Sequence, residues 1–241
     1  LNDWRKTDSL TRIVIVLNLV ILISPGPAVS DVDQDFGVWG AVQGQGSFAP
    51  NDPTLKNWQW WMEGQGRFSN DADRLGQSII RPGIGYKLSA TVSIWLGYGW
   101  ILTRPLGGVE TDEHRIWQQL NWKDSFSWGG LFSRTRMEQR FLSNGDDTGW
   151  RFRQFSKYTH PLYADHLYLS LWDEVFVNIN STDFGAESGF GQNRAFVGLG
   201  VNLDSAKHFR FELGYMNQFI ANENRPDGMN HILSTNLFIR Y

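Results

Sequence analysis

The stretch Leu131-Phe-Ser-Arg134-Thr-Arg136-Met-Glu138-Gln-Arg140-Phe-Leu-Ser-Asn-Gly-Asp-Asp-Thr-Gly-Trp150-Arg151-Phe-Arg153-Gln-Phe-Ser-Lys157-Tyr158 decides how this chain folds. Every second residue from Arg134 gives Arg134, Arg136, Glu138 and Arg140, and beyond the turn residues 143–147 the pattern resumes with Arg151 and Arg153. The alternate set is Ser133, Thr135, Met137, Gln139 and Phe141, then Trp150 and Phe152. On a helix these arginines would be scattered round the cylinder; on a strand they form one cationic stripe. A sheet with a charged face and a face tolerant of an apolar medium is what a membrane β-barrel requires.

Working outward, the same two-sided alternation recurs. Trp58, Trp60, Met62, Gly64, Gly66 and Phe68 oppose Gln59, Trp61, Glu63, Gln65 and Arg67. Ile80, Ile84 and Tyr86 oppose Gln77, Arg81 and Lys87; Val92, Ile94, Leu96, Tyr98 and Trp100 make an unbroken apolar face. Ile116, Leu120 and Trp122 oppose Glu113, Arg115 and Gln119. Later segments centred on Leu171, Leu199, Leu213 and Leu237 repeat the pattern. Two-faced segments of about ten residues separated by turn residues are the barrel signature.

Short turns are expected at Leu88–Thr91, Asp124–Ser127 and Asp204–Lys207, and longer loops at Thr103–Asp112, Ser143–Thr148, Ile179–Gly191 and Ala221–Met229. Short and long alternate, as periplasmic turns and extracellular loops do. With Tyr241 on the periplasmic side, Trp58–Phe68 is the first of ten strands. Asp35–Phe48 also alternates and breaks the even count, so ten to twelve strands are expected. Either a twelfth strand escapes this reading, or residues 35–48 lie in the lumen or pair only partly.

Composition agrees with an all-β wall. The chain of 241 residues carries a net charge of -3, with 25 glycines, 12 tryptophans and 15% aromatics, suited to strands and interfacial aromatic belts. It has no cysteine, which excludes disulfides and thiolate-bound metal. At the N-terminus, Arg5, Lys6 and Arg12 precede the apolar run Ile13–Ile23 and the small residues Ala28-Val29-Ser30. That is the three-part plan of a cleavable signal peptide over residues 1–30, leaving 31–241 as one domain. The apolar run is too short for a spanning helix, which takes ~20 residues.

Sidedness then assigns the lumen. Arg67, Arg81, Arg115, Arg134, Arg136, Arg140, Arg151, Arg153, Arg194 and Arg210 face inward with Glu63, Glu113, Glu138, Glu174 and Glu212. The direction is forced: an arginine at mid-bilayer on the lipid face costs ~2–4 kcal/mol, and ten would exceed a typical folding stability of about 5–15 kcal/mol. Apolar and ring-bearing residues are expected outside. Trp58, Trp60, Tyr98, Trp100, Trp122, Trp150, Tyr158, Tyr215 and Tyr241 should include the aromatic girdles. Strict alternation aims Asp173 at lipid beside the inward Glu174, and a β-bulge turning both inward would relieve this.

Arg134-Thr-Arg-Met-Glu-Gln-Arg140, Gln192-Asn-Arg194 leading into Gly198-Leu-Gly200, and Gly214-Tyr-Met-Asn-Gln218 together resemble an uncharacterised (domain-of-unknown-function) family of Gram-negative outer-membrane β-barrels. The resemblance covers nearly the whole of residues 31–241. It implies fold and location, the cell outer membrane, and carries no activity to transfer. The last strand, ending on Tyr241, is similar to the signal read by the barrel-assembly machinery. Outer-membrane lipids and lipopolysaccharide are the implied surroundings.

Two readings of the lumen follow. Arginine suits phosphate and carboxylate, so its surplus over glutamate marks a path or site for a small anionic solute. Alternatively the charges form a network holding a closed structural barrel, since about eight strands already give a filled interior. A lipid- or lipopolysaccharide-modifying enzyme is a further class. Ser143-Asn144-Gly145 faintly echoes a lipase motif but reads equally as a turn, and His114, His160, His166, His208 and His231 show no ligand spacing. His231 and Ser234 fall on opposite faces, against a dyad. No catalytic residue, metal or cofactor is assigned. The dispersed, inward basic residues make no nucleic-acid surface, and the barrel reads as a monomer.

Overall fold

The computed structural model describes residues 32–163, 166–223 and 226–241; the leader assigned to residues 1–30 lies outside them. Eleven strands make up the wall: β1 (Val32–Ser47), β2 (Trp58–Ser69), β3 (Arg74–Lys87), β4 (Val92–Thr103), β5 (Thr111–Phe126), β6 (Gly129–Leu142), β7 (Thr148–Tyr163), β8 (Leu167–Asn178), β9 (Gly189–Asn202), β10 (Phe209–Ile220) and β11 (Asp227–Arg240). They close into one barrel in sequence order. Ten neighbouring pairs are antiparallel. The closing pair, β1 with β11, is parallel, in register from Val32↔Asp227 to Gln45↔Arg240.

That seam corrects the even-numbered expectation. Residues 35–48 neither fill the lumen nor pair partly; as β1 they bond β11 on one side and β2 on the other. With an odd count the two seam strands must run the same way. Val32 therefore starts at one rim and Tyr241 ends at the other. Connector lengths also depart from simple alternation. β5 runs through Phe126, shortening its turn to residues 127–128, while residues 48–57 make a long connection at the Tyr241 rim.

Sidedness holds along every strand. Phe36, Val42, Met62, Ile84, Leu96, Leu199 and Leu213 are among the apolar residues exposed on the outer wall. Of the nine ring residues proposed for girdles, Trp122 is buried and the other eight are exposed or half-exposed.

The inside is not purely polar; alternation already sets Trp61 on the face of Glu63 and Arg67, and the structure gathers further rings there. Trp61, Trp95 and Trp117 point inward as a buried cluster, and Phe196, Met216 and Ile232 make another, with Trp39 and Trp172 against it. Inward glycines on the neighbouring strands make the room. A Cβ at Gly85 would lie 2.3 Å from the Trp95 ring, and one at Gly200 would lie 2.1 Å from the Tyr168 ring. Bulky rings and bare backbone interdigitate across the ladder, which is how a narrow barrel packs tryptophan side chains inside.

Asp173 does not turn inward. It stays in register opposite Ser156 and Ala195, and the nearby shift in β8 falls later, between Phe176 and Val177. The carboxylate remains on the outer wall, half-buried, and accepts a hydrogen bond from Asn193 Nδ2 at 2.8 Å.

The β9–β10 turn carries a pH-dependent clasp. Asp204 accepts the Phe209 N–H at 2.8 Å and sits 3.2 Å from His208 Nδ1. The Phe209 hydrogen bond, chiefly, holds its carboxyl below the usual carboxylate range. A lowered carboxyl stabilises above its unfolded value near ~3.9 and loses that contribution as pH falls through the folded value. Asp204→Asn should therefore change protease sensitivity at the turn at neutral pH and leave it unchanged in strong acid, as limited proteolysis can measure.

Candidate functional site

All fifteen inward charges expected from the sequence face the lumen, and the structure sorts them into a lattice and a cavity. Alternation on β5, β6 and β7 aims Glu113, Arg115, Arg136, Glu138, Arg140, Arg151 and Arg153 at one another. Glu138, fully buried, meets Arg153 at 2.5 Å, Arg151 at 2.6 Å and Arg136 at 3.6 Å. Glu113 holds Arg115 at 2.5 Å and Arg140 at 2.6 Å. Glu174 on β8 joins Arg153 and Arg134, each at 2.7 Å. Glu63 takes Arg81 at 3.0 Å. The Arg136 guanidinium also lies 4.4 Å over the Trp117 ring, and Phe184 from the β8–β9 loop lies over Arg140. Glu113, Arg115, Arg136, Glu138, Arg140 and Arg151 pack the Val32 half of the lumen, while Glu63, Arg81, Arg134, Arg153 and Glu174 form the boundary that also lines the cavity.

The other half is hollow. A cavity of about 650 Å³ opens at the Tyr241 rim between turn 88–91 and the end of β5 at Asp124 and Ser125, and reaches inward to Arg67, Arg153 and Arg194. Its mouth is predominantly cationic, with Lys87, Lys123, Arg210 and Arg240 in the lining beside the Asp124 carboxylate at the rim. Glu212, near the mouth, is already occupied by Lys157 at 2.5 Å, Tyr168 at 2.9 Å and Ser170 at 3.2 Å. Four arginines of this lining form no ion pair with a carboxylate among the described residues: Arg67, Arg194, Arg210 and Arg240. Arg67 donates instead to Gln65 and Gln77. Arg194 donates to Gln192 once that amide is turned to face it. The buried Nε atoms of Arg210 and Arg240 have no hydrogen-bond partner among the described residues. In a low-dielectric wall such unmatched cations are an anion-attracting surface.

Residues 36–230 match the family described as "Protein of unknown function (DUF2490)". The chain belongs to this family. It is also similar to an uncharacterized protein of Methylorubrum extorquens, 36% identical over 185 residues that cover 76% of this chain and 80% of the relative. No solved structure matches it. The DUF2490 match spans β1 to the start of β11, so it takes in both the ion-pair lattice and the inner end of the cavity.

Several residues of this DUF2490 chain were missed in the sequence reading. Lys157 and Arg240 follow the inward alternation but were not counted, and the inward rings Trp39, Phe155 and Trp172 were given no role in the lumen, although alternation sets Trp172 beside Glu174. Period two was the available signal for all five. The remaining candidates sit apart from the cavity. Ser143 Oγ accepts the Asp112 N–H at 3.0 Å, a turn contact. His114, His160 and His231 are on the outer wall, each hydrogen-bonded through Nδ1 to a tyrosine: Tyr98, Tyr158 and Tyr215. His231 and Ser234 point to opposite sides, as expected.

Proposed function

We propose that this protein is an outer-membrane β-barrel, closed midway by its ion-pair lattice, whose one-ended cavity binds a small anionic solute. The observation that carries this reading is the set of four arginines facing the cavity without a carboxylate partner among the described residues. Support for the membrane is the largely apolar outer wall, with Met62 51% and Leu96 52% exposed, on a sheet whose arginines and glutamates turn inward and whose outer face keeps the Asp173 carboxylate. Binding is favoured over passage because Arg136, Glu138 and Trp117 are packed without accessible surface where a channel would run. With the Tyr241 rim toward the periplasm, the cavity draws its solute from there. Recognition of the last strand by the assembly machinery precedes closure, since both edges of β11 are bonded in the finished barrel.

The test is calorimetric titration of the refolded protein with small carboxylates and phosphates at low ionic strength. Arg67→Gln with Arg194→Gln should weaken binding by about tenfold or more, since hydrogen bonds to charged groups are worth about 1.5–3 kcal/mol. Planar bilayers should show no steady conductance for the native protein. Anion-selective steps would point to a channel, and an absence of anion binding would favour the closed structural barrel, a reading that the filled half of the lumen also supports. Location is checked by density fractionation of cell envelopes.

A further inference from the structure

The walls of the cavity speak to the kind of anion, an inference that rests on the anion-binding reading above. We propose that the ligand is an anion carried on a planar aromatic ring, such as an aryl carboxylate or aryl phosphate. Two ring-lined walls bound the cavity. Trp39, Trp61 and Trp95 come from β1, β2 and β4, and Phe155 and Trp172 come from β7 and β8. In an eleven-strand circle β7 and β8 lie across the lumen from β2, so Trp61 faces Phe155 and Trp172, while Trp39 packs with Trp172 against the Phe196 cluster and closes the side between them. Trp61 and Trp95 meet edge to face at 5.6 Å, and Phe155 meets Trp172 at 5.4 Å.

The cations are interleaved with these rings. Arg67 lies 3.9 Å and Arg194 4.9 Å from the Trp39 ring centre, and Arg134 lies 4.6 Å over Phe155. Stacking on a ring occupies the guanidinium face, and among the described residues the N–H edges of Arg67 and Arg194 meet only the neutral amides of Gln65, Gln77 and Gln192, which an anion can displace. A carboxylate or phosphate on those edges carries whatever it is attached to into the space between the ring walls. An aromatic body gains offset or edge contacts there that a saturated body of equal size does not, and a bare inorganic ion leaves the walls to water. A cavity of about 650 Å³ has room for such a molecule.

The experiment compares four ligands by calorimetry on the refolded full-length chain: inorganic phosphate, phenyl phosphate, cyclohexanecarboxylate and benzoate. Phenyl phosphate should bind on the order of tenfold more tightly than phosphate, and benzoate roughly 3- to 10-fold more tightly than cyclohexanecarboxylate, the worth of one aromatic pair. Trp39→Leu and Phe155→Leu, each checked for a folded barrel by heat-modifiable gel mobility, should both narrow the benzoate to cyclohexanecarboxylate ratio. Equal affinities within each pair would overturn the ring preference while leaving anion binding in place. No binding by any of the four would overturn both.

Discussion

Glu138→Ala should lower the denaturant midpoint of the refolded barrel more than any other single charge removal. The carboxylate is fully buried and holds Arg151, Arg153 and Arg136. Deleting it leaves three guanidiniums facing one another with little water to screen them. Breaking a buried pair by removing one partner costs about 3–5 kcal/mol. The comparison that isolates burial is Glu110→Ala, whose partner Arg104 lies 2.5 Å away on the exposed β4–β5 loop. Surface pairs contribute ~0–1 kcal/mol, so that variant should unfold almost as the native protein does. Urea titration read by heat-modifiable gel mobility measures both. Equal midpoints for the two variants would show that the lattice does not hold the barrel together.

The second large effect is expected at Trp117. Its ring is fully buried, stacks under Arg136, and donates its indole N–H to the Tyr98 carbonyl at 3.1 Å. Trp117→Ala should cost about 3–5 kcal/mol through the cavity it leaves. The same ring explains two glycines. A Cβ at Gly83 would lie 2.6 Å from Trp117 Cη2, and one at Gly97 would lie 2.0 Å from Cζ2 and 2.6 Å from the Pro82 carbonyl. Gly83→Ala alone should destabilise by about 1–3 kcal/mol through overpacking. In the Trp117→Ala background most of that cost should vanish, giving a coupling of about 0.5–3 kcal/mol in a double-mutant cycle. Additive effects would mean that Gly83 is small for a reason other than the ring. Gly97 is a poorer partner for the cycle, because the Pro82 carbonyl obstructs a Cβ whatever stands at 117.

Much of the site was legible because its governing rule is local. Arg134, Arg136 and Arg140 share a face with Glu138 whatever the rest of the chain does, since successive side chains on a strand alternate. Under the membrane reading proposed above, the cost of charge on a lipid face then fixes which face turns inward. Pairings were less legible. Arg153 sits between Glu138 and Glu174 because β6, β7 and β8 are neighbours in register, and that depends on turns that only approximate reading could place. Asp173 shows the limit of arguing from cost alone. The expected bulge is absent, and a single Asn193 amide accompanies a carboxylate left on the outer wall.

By itself the sequence determined an all-β wall, its inside and outside, and the identity of all fifteen charges first assigned to its lumen, because each follows from period two and the price of burying charge. Only the tertiary structure decided that eleven strands close through a parallel β1–β11 seam, that glycines admit tryptophans to the interior, and that half the lumen is filled while half is hollow. Those outcomes depend on which residues meet across strands far apart in the chain. No local pattern records such meetings.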